Sequence, residues 1–154
     1  MKRWMWLMCA LLLFCLMEQT GAQVEMLQPV QLLQVSKING SIWLRTDTKD
    51  FGTGKTLQDA LEDLQATSEK QIFLETADML ILGENTEYLL PELRAYLRPA
   101  VQVCRTVGEV DPAQAAAYLQ NHSSQLTLGE FTEKRQLPEL KAAGGRLRLA
   151  ENNG

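Results

Sequence analysis

Val30-Gln31-Leu32-Leu33-Gln34-Val35, then Asn39-Gly40, then Ser41-Ile42-Trp43-Leu44-Arg45-Thr46 is the stretch on which the fold turns. Two short apolar-rich runs flank a dipeptide suited to a two-residue type I′ turn. Both central residues of that turn need positive φ, which Asn and Gly tolerate. The spacing predicts a β-hairpin. Asp47 to Gly54 follows it as a polar stretch with two glycines and reads as a loop.

Toward the C-terminus the periodicity changes. Thr56 can cap the free N–H groups of a helix, with Asp59 three residues on at its positive end. Leu57, Ala60, Leu61 and Leu64 then fall at helical spacing on one face, with Asp59, Glu62 and Asp63 as the solvated face. Ile72-Phe73-Leu74 is a short apolar link. Met79-Leu80-Ile81-Leu82 is continuously apolar and ends at Gly83, as a strand covered on both faces would be. A second helix starts at Asn85 or Thr86, carries Leu89, Leu90, Leu93, Tyr96 and Leu97, tolerates Pro91 in its first turns and stops at Pro99. Val101 to Val107 alternates like a strand. Asp111-Pro112 offers a cap and a first-turn proline to a third helix over Ala113 to Leu119. Leu126, Leu128 and Phe131 allow one more strand and Leu137 to Ala143 a short helix, while Gly144-Gly145 and Glu151 to Gly154 read as loose.

Strands alternating with helices imply a parallel βαβ unit. The expected fold class is α/β (α+β): a mixed β-sheet with an N-terminal hairpin, a βαβ unit and flanking helices. The expected organisation is a signal peptide or N-terminal anchor over 1–22, one domain over 23–131, and a short, partly loose C-terminal extension over 132–154.

The first segment reads as a secretory signal. Lys2 and Arg3 form a positive start, Trp4 to Met17 run fourteen residues without charge, and Thr20-Gly21-Ala22 suits a signal peptidase. As a helix the apolar run would measure roughly 21 Å, short of a hydrocarbon core of about 30 Å. Cleavage after Ala22 and retention as an anchor both remain open. Lipidation at Cys9 or Cys15 is disfavoured, because Phe14 is too large for the position before a lipidated cysteine.

The chain of 154 residues carries a net charge of −4. Removing Lys2, Arg3 and Glu18 from the count leaves 13 Lys and Arg against 18 Asp and Glu, a net charge of −5. Without a basic stripe, nothing points to nucleic acid. Once the signal is removed Cys104 is the single cysteine, so no internal disulfide can form and the fold must rest on its core.

Catalytic signatures are sparse. Gly52-Thr53-Gly54-Lys55-Thr56 looks like part of a phosphate loop, but Lys49 stands where that loop needs a further glycine. His122 is the only histidine and falls near a helix C-terminus, where a positive charge suits the dipole. Cys104 lies in an alternating strand and reads as a buried thiol. Asn39-Gly40-Ser41 and Asn121-His122-Ser123 match the N-glycosylation pattern only incidentally. No catalytic, cofactor-binding or metal-ligating residue is singled out, and a binding role is expected in place of an enzymatic one.

Val35 to Leu119, about 85 residues of 154, resembles the N-terminal domain of the Ger(x)C family, the C subunits of spore germinant receptors. The resemblance rests on the order of Ile38-Asn39-Gly40-Ser41-Ile42, Gly54-Lys55-Thr56-Leu57-Gln58-Asp59-Ala60-Leu61, Ile72-Phe73-Leu74 and Met79-Leu80-Ile81-Leu82-Gly83-Glu84. Leu97-Arg98, Val101-Gln102-Val103 and Tyr118-Leu119 continue the register. Members carry a lipobox followed by Trp-Asp, whereas here Leu16-Met17 follow Cys15.

The resemblance implies a non-catalytic, exported binding or assembly module that takes part in spore germination. Its expected place is the outer face of the cytoplasmic or spore inner membrane, in contact with membrane protein subunits of a germinant-receptor-like complex. The alternative is an unrelated small secreted or membrane-tethered α/β protein.

Overall fold

The computed structural model describes residues 27–132 and 135–150, so the expected signal or anchor over 1–22 lies outside the described residues. The hairpin forms as its turn chemistry requires. Strand β2 (Leu32–Ile38) pairs antiparallel with β3 (Ser41–Thr46), and Asn39 and Gly40 link them with φ of 52° and 82°. Strand β1 (Leu27–Pro29) lies apart from it, paired in parallel with β5 (Gln71–Phe73) in a two-stranded sheet.

The expected polar loop after the hairpin is a correction. Phe51–Gly54 forms strand β4, antiparallel to β3, and helix α1 (Leu57–Thr67) lies directly on it. A Cβ at Gly52 would stand 2.3 Å from the Leu64 nitrogen and 2.4 Å from the Ala60 carbonyl oxygen, and one at Gly54 would stand 2.4 Å from the Ala60 nitrogen. These glycines therefore serve the close approach of strand and helix. Thr56 and Asp59 make the reciprocal capping box that the sequence spacing suggested. The same helix bonds the free edge of β4: Asp63 Oδ2 accepts from the Thr53 N–H at 2.7 Å, and Thr67 Oγ1 donates to the Phe51 carbonyl at 2.8 Å. An unpaired strand edge is a template for aggregation, and this one is occupied.

Strand β6 (Met79–Leu82) runs parallel to β2, and β7 (Gln102–Val107) parallel to β6. The expected second helix is much shorter than its apolar spacing suggested. A 3₁₀ turn over Glu87–Leu89 leads into the four-residue α2 (Leu90–Leu93), with Pro91 in its first turn. Leu89, Leu90, Leu93 and Leu97 are nevertheless buried, so turns deliver the same apolar groups. The third helix, α3 (Pro112–Asn121), forms as expected, with Asp111 Oδ2 accepting from the Gln114 N–H.

Beyond α3 the structure departs from the sequence reading twice. Leu126 to Phe131 makes only one bridge, Gln102 to Thr127, and no strand. Glu139–Ala143, expected as a helix, is strand β8, parallel to β7, and Gly144-Gly145 turns it into β9 (Arg146–Ala150). Both glycines have positive φ, as in the first hairpin. Leu140, buried, and Leu147 and Leu149, partly buried, share one face of this second hairpin.

The result is a mixed α+β fold with a seven-stranded sheet in the order β4-β3-β2-β6-β7-β8-β9. One face packs Leu33, Val35, Leu44, Leu80, Leu82 and Val103 against α1 and the turns around α2. The other packs Leu32, Met79, Ile81, Cys104 and Leu140 against Ala115, Ala116 and Leu119 of α3. Burial of each leucine contributes roughly 1.5–3 kcal/mol.

Candidate binding cleft

Helix α3 covers only part of its face. Beyond Leu32 the second face of β2, β3 and β4 borders a cleft, and the period of two brings Gln34, Arg45 and Phe51 into register beside one another along it. Ser36 and Trp43 stand next to them on that surface. Between this surface and the first turn of α3 lies a cleft of about 890 Å³. It reaches Gly83 and Glu84 after β6, and Gly108 and Glu109 after β7. Ligands of open α/β sheets bind outside the carboxyl ends of the parallel strands, and this cleft opens there. Its size is within the range of small-molecule pockets.

Gln34 lines the cleft and is only 3% exposed, yet its Oε1 has no hydrogen-bond partner among the described residues. An unpaired buried acceptor costs about 1–3 kcal/mol. On the neighbouring strand, Arg45 Nη1 lies 3.5 Å from Glu109 Oε1, and Glu109 is 88% exposed. The pair spans from the sheet to the β7–α3 connection.

Five carboxylates line the cleft, and three are occupied by the chain's own donors. Asp47 Oδ1 accepts from the Gln31 and Leu32 N–H groups at 3.0 and 3.1 Å. Asp50 Oδ2 accepts from Gln28 Nε2 at 2.9 Å and Thr48 Oγ1 at 2.7 Å. Asp111 caps α3. Glu109 holds Arg45 loosely, and Glu84 is exposed with no bonded partner among the described residues.

A second hollow, about 530 Å³, adjoins the first at Glu84 and is lined by Glu87, Tyr88 and Arg105. Arg105 bonds Glu139 and lies 3.6 Å from Glu87, while Lys141 Nζ lies 2.8 Å from Glu139. Hydrogen bonds from Lys141 and Arg105 hold the Glu139 carboxyl below the usual carboxylate range. This network ties β7 to β8.

The residues weighed from sequence lie elsewhere. Cys104 is buried under α3, and burial pushes its thiol up to about 12, which keeps it protonated and unreactive at neutral pH. His122 follows α3, stacked on Tyr118 with ring centroids 4.2 Å apart and Nδ1 3.1 Å from the Tyr118 carbonyl oxygen. Gly52 and Gly54 face α1, and Asn39 is occupied by its turn. Gln34, Arg45 and Glu109 were not singled out. The available signal was a glutamine inside an apolar strand run. Glu109 came to Arg45 only through tertiary folding, since 64 residues separate them.

Among the described residues, no helix is long and apolar enough to cross a membrane, and no three His, Cys, Asp or Glu side chains form a metal-binding group. Compared with protein-family models, with curated proteins and with solved structures, the chain matches none of them.

Proposed function

We propose that this protein is a non-catalytic, exported binding or assembly module, similar to the first domain of a spore germinant-receptor C subunit. It acts by contact with membrane partner proteins at the outer face of the cytoplasmic or spore inner membrane. The half-covered sheet face carries this reading. It presents Trp43 and Phe51 beside Arg45 in an open cleft, and three of the five carboxylates there are committed to holding the backbone or a turn. Such a surface offers contact area and fixed polar groups, the ingredients of recognition. The ordered residues from Ile38 to Leu119 supply the likeness to the receptor subunit.

A photo-crosslinking residue at Phe51, compared with one at the exposed Gln58 on α1, tests the proposal in the native host. Crosslinks from Phe51 to a multi-spanning protein encoded beside this gene are expected. A host that makes no spores, or crosslinks that come equally from Gln58, would replace this reading with an unrelated secreted α/β protein.

A further inference from the structure

We infer that strand β9 is a docking edge for an extended segment of a partner protein, one that alternates acidic and apolar residues and joins the sheet as an added strand. The inference goes beyond the cleft, because β9 and β4 lie at opposite ends of the sheet.

The first observation is an asymmetry between those two ends. Side chains of α1 bond the β4 edge at Thr53 and Phe51. No helix does this for β9. The two-residue turn at Gly144-Gly145 makes Ala143 and Arg146 a bonded pair, so alternate residues of β9 bond β8. Leu147 and Leu149 are the others, and they turn their N–H and C=O groups outward. Among the described residues only the Tyr118 hydroxyl meets these groups, accepting from the Leu149 N–H at 3.1 Å. The Leu147 N–H and both carbonyls are left for an incoming strand.

The second is charge on the face that β9 shares with β7 and β8. Arg146 and Arg148 are exposed, and Lys141 stands directly across from Arg148. Glu139 is the only carboxylate in these three strands, and Arg105 and Lys141 hold it. Neither Arg146 nor Arg148 has an ion pair among the described residues. Like charges facing each other across a ladder destabilise it, and an acidic residue on the next strand relieves them.

The third is the opposite face of the same strand, where Leu147 and Leu149 lie half-buried beside Tyr118. With a period of two, a strand laid along β9 meets arginines with one set of residues and leucines with the other. That sets the alternation of acidic with apolar. It also argues against a second copy of this chain, since antiparallel pairing of β9 with itself would gather four arginines on one face.

Calorimetric titration of the full chain in detergent solution tests this with synthetic peptides. Ac-Val-Glu-Val-Glu-Val-Glu-NH2 should bind saturably. The block form Ac-Val-Val-Val-Glu-Glu-Glu-NH2 should bind about tenfold more weakly, and Ac-Val-Lys-Val-Lys-Val-Lys-NH2 should not bind. N-methylation of the alternating glutamate peptide, at its valines or at its glutamates, separates strand pairing from charge. One form should lose about tenfold and the other little, because only one set of N–H groups faces β9. Arg148→Glu, an exposed change opposite Lys141, should weaken the glutamate peptide and admit the lysine peptide. Leu147→Pro removes an outward N–H, which edge strands tolerate, and should abolish binding. Should that variant fail to fold, the N-methyl comparison still decides. Equal binding of the alternating and block peptides, or identical behaviour of the two N-methyl forms, would overturn strand addition. A dimer of the full chain in sedimentation that Leu147→Pro dissolves would overturn the choice of partner in favour of a second copy.

Discussion

On one face of the sheet, α1 approaches β4 until no room is left for a Cβ at Gly52, and its Asp63 and Thr67 bond the strand's free edge. On the other face α3 covers the parallel strands and stops, leaving Gln34, Arg45 and Phe51 beside an open cleft. The same three strands line both faces, so strand propensity does not make the difference. The closed face combines leucines and valines with glycines at Gly52 and Gly54, where the helix backbone touches the strand. The open face carries Gln34, Ser36, Arg45 and two large aromatics, Trp43 and Phe51, at the equivalent positions. Closed surface of the first kind stabilises the fold, and surface of the second kind is available for binding.

Crowding the closed face should have the largest effect. Gly52→Ala puts a methyl group against backbone atoms that cannot rotate away, so the loss should be about 3 kcal/mol, at the upper end for overpacking. Urea unfolding measures it, and a loss under about 0.5 kcal/mol would mean that α1 is not seated on β4. Gly40→Val should come next, at roughly 1–2 kcal/mol. No atom lies within 4 Å of a Cβ there, so only the positive φ resists a β-branched residue. Unchanged thermal stability in that variant would count against the type I′ turn that sets the register of both faces. The smallest effect has the opposite sign. Gln34→Met removes an unpaired buried acceptor from the open face and should stabilise the unliganded protein by about 1 kcal/mol. A comparable loss would mean that the amide supports the fold and that the two faces differ less than their side chains suggest.

Local chemistry made much of this fold legible. Asn39-Gly40, the Thr56 and Asp59 capping box, the apolar Met79–Leu82 and the Asp111-Pro112 start of α3 each act within a few residues, and each forms as its sequence implies. The misreadings came where partners far along the chain decide. Phe51–Gly54 reads as a loop because glycine disfavours strands, and it is a strand because β3 pairs with one side of it and α1 bonds the other. Leu137 to Ala143 reads as a helix until Gly144-Gly145 folds β9 back onto it and β7 receives the pair.

The site divides in the same way. Sequence alone fixed its ingredients: a glutamine in an apolar strand, an arginine across the hairpin from it, and an aspartate-proline helix start. Their meeting with Glu109 and the aromatic rings was decided by tertiary structure. Which face of a sheet a helix covers, and how far, depends on the summed packing of residues distant in sequence, and no local spacing records that sum.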